Sequence, residues 1–307
     1  MPPTKPSTPP DRSAAGGPAE DPKAPIGGPV PASPSNSGTE DSVRLHGLPP
    51  LEQVVAIARA AGAEILRVYA TTFEIRAKRE HGPVTLADEN AERLITQALN
   101  ALTPDIPVIA EEAFDQSPVH TAPPRFWLVD PLDGTCEFID RNGEFTVNIA
   151  LIEGTRPVLG VVFAPALGEL YAVTEGQRPF LETPDGRREI ACRPPPEHGI
   201  TLLTSRSHAD DAQLAPILAR PGMPVVAERI GMGSSLKFCR IAAGGADLYP
   251  RTGRTMEWDT AAAHAILRAA GGHVETLGGA PGAPLEYAKP GFENPGFIAR
   301  GRDTGTC

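Results

Sequence analysis

The apolar run Phe126-Trp-Leu-Val129 stops abruptly at Asp130-Pro-Leu-Asp-Gly-Thr135, and few folds tolerate such a junction. The apolar residues predict a buried strand, and the Pro, Gly and Asp residues predict a tight turn at its end. The strand therefore delivers two carboxylates, Asp130 and Asp133, to the edge of a core. Charges so close together repel and raise each other's pKa unless a cation stands between them, so these residues alone point to a divalent metal site.

The chain around this stretch has 307 residues, room for two domains or one large one. Its net charge of −10 argues against a surface that coats nucleic acid and leaves anion binding to a local pocket. Cys136, Cys192, Cys239 and Cys307 are widely spaced with no C-x-x-C pair, which predicts reduced thiols, as in a cytoplasm, rather than zinc or a disulfide framework. No apolar segment follows the charged start and no run of about 18 apolar residues occurs, so neither a secretory signal nor a transmembrane span is expected. Association with a membrane surface stays open.

Residues 1–45 are rich in Pro, Gly and Ser with few large apolar side chains, the composition of a disordered tail. From Leu51, apolar residues at helical spacing through Tyr69 begin the folded part, and Ala91 to Leu102 mark a second helix with Thr85 or Asp88 as its N-cap. A short apolar strand, Pro107 to Ala110, ends in Glu111-Glu112. Runs at Phe145 to Ile152, Pro157 to Ala164 and Gly168 to Val173 predict an antiparallel meander, and the polar region from Arg187 to Pro196 reads as a connection. Beyond it strands and helices alternate, ending in a helix from Thr260 to Ala270 that stops at Gly271-Gly272. This order predicts layered α/β (α+β) architecture in two lobes, an N-terminal α+β lobe over 46–195 and a C-terminal α/β lobe over 196–300, followed by a flexible end at 301–307.

Glu111-Glu112, Asp130 to Thr135 and Trp258-Asp-Thr260, with Arg141 to Leu151, Ser205 to Asp210 and Gly233 to Cys239, resemble in order and spacing the magnesium-dependent, lithium-sensitive phosphatases of the inositol monophosphatase superfamily. The resemblance covers roughly residues 50–300 and is nearest the bacterial CysQ-type 3′(2′),5′-bisphosphate nucleotidases. It implies the αβαβα sugar-phosphatase fold and hydrolysis of adenosine 3′,5′-bisphosphate to AMP and phosphate in the recycling of a sulfate-assimilation by-product. An inositol-1-monophosphatase or related sugar-phosphate phosphatase is the alternative, because the metal half of the site is common to the superfamily. A protein that binds the nucleotide without turnover would be expected to lose catalytic positions, and all are present.

The resemblance also implies residue roles. Glu111, Asp130, Asp133 and Asp259 are the metal carboxylates, joined by the backbone carbonyl of Leu132, for two or three Mg²⁺ ions; hard oxygen donors suit that ion. Thr135 positions the attacking water with Asp88 as its acidic partner, which moves Asp88 from cap to site. Amides of Gly134 and Thr135 hold a phosphate oxygen. His208, Ser235 and Lys237 are the substrate contacts, although a structural histidine and a solvated lysine are the plain alternatives for His208 and Lys237. Glu257 stands behind Asp259 as a supporting carboxylate. The partner implied is a small phosphorylated nucleotide, not a nucleic acid, for a monomer or homodimer in the cytoplasm or peripherally on the cytoplasmic face of the inner membrane. Cys136 departs from the lysine common in the group.

Overall fold

The computed structural model describes residues 47–77, 83–114, 121–206, 211–280 and 282–302. The expected tail lies outside these residues, as does the end of the chain from residue 303. In chain order the first elements are α1 (Leu51–Tyr69), β1 (Ile75–Ala77), β2 (Pro83–Thr85), α2 (Leu86–Leu102), β3 (Val108–Ala110), α3 (Glu111–Phe114), β4 (Arg125–Asp133) and α4 (Thr135–Ile139). The meander follows as β5 (Thr146–Glu153), β6 (Arg156–Ala164), β7 (Glu169–Thr174), β8 (Phe180–Thr183) and β9 (Gly186–Glu189). The rest comprises β10 (Ile200–Ser205), α5 (Asp211–Leu218), β11 (Val226–Met232), α6 (Leu236–Ala242), β12 (Leu248–Arg251), β13 (Thr255–Met256), α7 (Ala261–Ala269), β14 (His273–Thr276), β15 (Glu293–Asn294) and β16 (Phe297–Arg300).

One sheet runs β3-β4-β5-β6-β7-β8-β9, with β3 parallel to β4 and every other pair antiparallel. Both faces of its central strands, β4 to β7, are covered, which explains their nearly continuous apolar runs. Trp127, Val129, Ile149 and Leu151 pack with α1 and α2, whereas Phe126, Leu128, Ala150 and Ile152 pack with α6 and α7. A second sheet, β11-β10-β12-β16-β14, contributes Tyr249, Val274 and Phe297 to the same α6/α7 layer. Its other face packs Ile200, Leu202, Leu248 and Ile298 against Ile217 of α5. The layers are thus αβαβα.

One expectation about the elements needs correction. Arg187 and Arg188 are not in a connection but in β9, an exposed edge strand whose Arg187 bridges Glu182 and Glu52 of α1. Charged side chains are what an exposed edge carries, so the strand lacks the apolar pattern that would announce it. The strands after Gly272 are also absent from the pattern, yet β16 sits between β12 and β14 inside the second sheet. It is only four residues long.

Candidate active site

The two carboxylates of β4 are presented by a fault in its pairing rather than by the tight turn expected at Asp130. Asp130 lies opposite Asn148 and Asp133 opposite Thr146, so three steps on β4 match two on β5. Residues three apart in a regular strand face opposite ways. The extra residue at Pro131-Leu132 is a β-bulge, and it turns both carboxylates toward one cavity of about 300 Å³. The turn comes afterwards, at Gly134, whose φ of 91° is in the left-handed region. A Cβ at this position would meet the Glu144 carbonyl oxygen at 3.1 Å.

Asp88 turns out to be cap and site neighbour together. Its Oδ2 accepts from the Thr85 amide (2.8 Å) and hydroxyl (2.7 Å), closing a capping box at the start of α2. Its Oδ1 accepts from Thr135 Oγ1 at 3.4 Å, and the same hydroxyl lies 3.4 Å from the Leu132 carbonyl. Thr85 and Asp88 were alternatives for the cap in the sequence; the box uses both.

Glu111 opens α3 at the end of β3, and Asp259 sits just before α7; both line the cavity with Asp130, Leu132 and Asp133. Asp130, only 1% exposed, accepts from the Leu132 amide at 3.0 Å. Asp259 accepts from the Met256 amide at 2.8 Å. Burial, then the charges of Asp133 and Glu111, pushes the Asp259 carboxyl well above its usual range. Burial likewise pushes Asp133 up to about 6, against the pull of Lys237, the Ser235 amide and Asn148. This is a surplus of negative charge that wants a cation. Among the described residues no three carboxylate, imidazole or thiol groups stand together closely enough to hold a metal ion by themselves. An open set of hard oxygen donors around a cavity fits Mg²⁺, which keeps waters and shares its shell with substrate phosphate.

The second half of the site comes from β11, α6 and β12. The Ser235 amide donates to Asp133 Oδ2 at 2.5 Å, and its buried hydroxyl donates to Asn148 Oδ1 at 2.8 Å and meets Thr146 Oγ1 at 3.0 Å. Lys237 is 4% exposed, which excludes the solvated reading. Its ammonium donates to the carbonyls of Met232 (3.1 Å) and Ser234 (2.6 Å), leaving one of its three donors. Burial pushes Lys237 down to about 8, with Asp133 acting against it. His208 lies outside the described residues.

Arg251, at the end of β12, also lines the cavity, and its Nε has no hydrogen-bond partner among the described residues. The sequence reading missed it: one arginine after Leu-Tyr-Pro carries no motif, and its only signal is a cation closing an apolar strand. Glu257, expected behind Asp259, is instead used elsewhere. It accepts from the amides of Ala288 and Lys289 at 2.9 Å each and pairs with Lys289 Nζ at 2.6 Å. The turn beside it is held by Asn294, which donates to the Met256 carbonyl (2.7 Å) and Thr260 Oγ1 (3.1 Å).

The model of the inositol monophosphatase family matches residues 49–299. The 3′(2′),5′-bisphosphate nucleotidase CysQ of Escherichia coli O157:H7 is 47% identical over 253 residues, covering 80% of this chain and 98% of that protein. The crystal structure of CysQ from Bacteroides thetaiotaomicron, described as a bacterial member of the inositol monophosphatase family, superposes with a TM-score of 0.69 at 34% identity, covering 82% of this chain and 97% of that one. The IMPase of Thermotoga maritima shares the fold, with a TM-score of 0.64 at 24% identity over 81% of this chain and 91% of that one.

Proposed function

Because the chain belongs to the inositol monophosphatase family, we propose that it is a Mg²⁺-dependent 3′(2′),5′-bisphosphate nucleotidase, a phosphoric monoester hydrolase that converts adenosine 3′,5′-bisphosphate to AMP and phosphate. One observation carries the substrate choice. The cavity joins carboxylates from β4 and the starts of α3 and α7 to two cations, Lys237 and Arg251. A substrate with a single phosphate uses the carboxylate part with its metal. A bisphosphate also uses the cations, which match the phosphate that is retained.

Glu111, Asp130, Asp133, Asp259 and the Leu132 carbonyl would hold two or three Mg²⁺ ions. When bound, Mg²⁺ supplies Lewis-acid charge to the phosphoryl oxygens and to the departing ester oxygen. Thr135 Oγ1, by donating to Asp88, keeps its lone pairs for an incoming water and orients the oxygen for in-line attack at phosphorus. The water's oxygen bonds to phosphorus as the P–O3′ bond breaks, its proton passes toward the Thr135–Asp88 pair, and the ribose oxygen leaves and is protonated by solvent. Amides of Gly134 and Thr135, at the start of α4, receive a phosphoryl oxygen. Ser235 acts through its amide, which fixes Asp133. His208 remains a proposed nucleotide contact.

Lithium sensitivity, a role in sulfate assimilation, a cytoplasmic place with or without peripheral contact at the inner membrane, a monomeric or dimeric state and a lobe boundary near residue 195 belong to the same proposal. The free thiols of Cys136, Cys192 and Cys239 support the cytoplasmic reading. Among the described residues no helix is long and apolar enough to cross a membrane. The deciding experiment compares kcat/KM for adenosine 3′,5′-bisphosphate and inositol 1-phosphate with Mg²⁺ present. A clear preference for the bisphosphate is expected, and a preference for inositol 1-phosphate would replace this reading with the monophosphatase one.

A further inference from the structure

Glu144 lies outside the cavity, in the loop between α4 and β5. Its carboxylate receives Arg206 as a fork, Nε to Oε2 at 2.9 Å and Nη2 to Oε1 at 2.7 Å, and it also accepts the Gly233 amide at 2.8 Å. Arg206 Nη2 in turn reaches the Gly231 carbonyl at 2.9 Å. The backbone of Glu144 is wedged as tightly as its side chain: a Cβ on Gly233 would stand 2.8 Å from the Glu144 carbonyl oxygen and 2.5 Å from Glu137 Cγ. Burial works against the Glu144 charge, but the bonds from Arg206 and Gly233 outweigh it and hold the carboxyl below its usual range.

These contacts join the α4–β5 loop to the β11–α6 turn, and the Glu144 carbonyl oxygen also backs the β4–α4 turn, 3.1 Å from where a Cβ on Gly134 would stand. The β4–α4 turn carries Asp133, Gly134 and Thr135, and the β11–α6 turn, Gly233 to Ser235, leads into Lys237. The Ser235 end of the second turn is held by its amide to Asp133 and by its hydroxyl to Asn148 and Thr146 of β5. Glu144 holds the other end of that turn, at Gly233, and the charge-assisted Arg206 fork fixes the carboxylate that does so.

We propose that Glu144 is a positioning residue that fixes the β11–α6 turn against the α4–β5 loop and so determines how well a substrate with two phosphates is held. This rests on the bisphosphate reading above. A monoester bound through the carboxylate part alone needs from the second turn only the Ser235 amide at Asp133, a bond that Glu144 and Arg206 do not supply.

The test uses Glu144→Gln in the full chain, with adenosine 3′,5′-bisphosphate and p-nitrophenyl phosphate as substrates. Glutamine keeps the shape and one acceptor for Gly233 but loses the charged fork. KM for the bisphosphate is expected to rise about tenfold with kcat within about threefold, while both constants for p-nitrophenyl phosphate stay within about twofold. Arg206→Gln should raise the same KM, and the double variant should be no worse than either single one. Equal losses on both substrates, no change on either, or additive effects in the double variant would each overturn the inference. A wild-type enzyme that fails to hydrolyse the bisphosphate overturns the functional reading and this inference with it, whereas a competent wild type with an unchanged variant overturns the inference alone.

Discussion

The backbone amide of Ser235 donates to Oδ2 of Asp133 across 2.5 Å, so a loop of the second sheet holds a carboxylate of the first. Removing the charge of Asp133 while keeping an oxygen there separates its two duties. Asp133→Asn still offers the Ser235 amide an acceptor, so thermal stability should change little, whereas phosphate release should fall by about 10³-fold or more through the lost cation ligand. Rates within tenfold of wild type at saturating Mg²⁺ would contradict the assignment.

Asp88 offers a second separation. Thr85→Ala should cost about 1 kcal/mol of stability, because α2 loses its cap. Asp88→Asn should lower kcat by about 10²-fold or more, since Thr135 loses its charged acceptor. Denaturant unfolding beside steady-state kinetics reads both. If Asp88→Asn changed stability alone, the residue would be a cap and nothing more.

Arg251→Ala leaves the carboxylates of the cavity in place. KM for adenosine 3′,5′-bisphosphate should rise about tenfold, the loss of one charged hydrogen-bonding group, with a smaller effect on a simple monoester. Equal effects on the two substrates would mean that Arg251 serves the carboxylates rather than the retained phosphate.

His264 of α7, whose Nδ1 lies 2.9 Å from the Tyr287 hydroxyl, gives a pH prediction. Burial, then the charges of Arg268 and His273, pushes its imidazole from 6.5 down to about 3. The unfolded chain therefore takes up this proton first. The stability tied to neutral His264 is intact above about pH 6.5 and is lost progressively as pH falls toward about 3. Unfolding free energy measured between pH 7.5 and 5 should drop below pH 6.5 with a component approaching about 1.4 kcal/mol per pH unit. That component should vanish in His264→Gln; identical slopes in both proteins would refute it.

The chemistry of this site was more legible in the sequence than its geometry. Asp130 and Asp133 stood out because an apolar run cannot end in two carboxylates without a reason, and the helices and the meander followed from period and composition. The bulge at Pro131-Leu132 left no trace, since pairing register belongs to two strands at once and one strand's sequence does not state it. Lys237 looked the same whether solvated or buried, because what buries it is the packing of α6 against α7, β6 and β12. Arg251 and the Glu144–Arg206 fork were invisible for a related reason: each is an ordinary surface-type residue whose meaning lies in a partner far along the chain.

The place of β16 bears on how this protein comes into being on the ribosome. The sheet bearing Asp130 and Asp133 has all its strands by Glu189, but the other sheet cannot close until Phe297–Arg300 has emerged to sit between β12 and β14. Domains fold as their chain becomes available. A nascent chain stalled before Phe297 therefore lacks both the strand that joins β12 to β14 and a residue of the cavity wall.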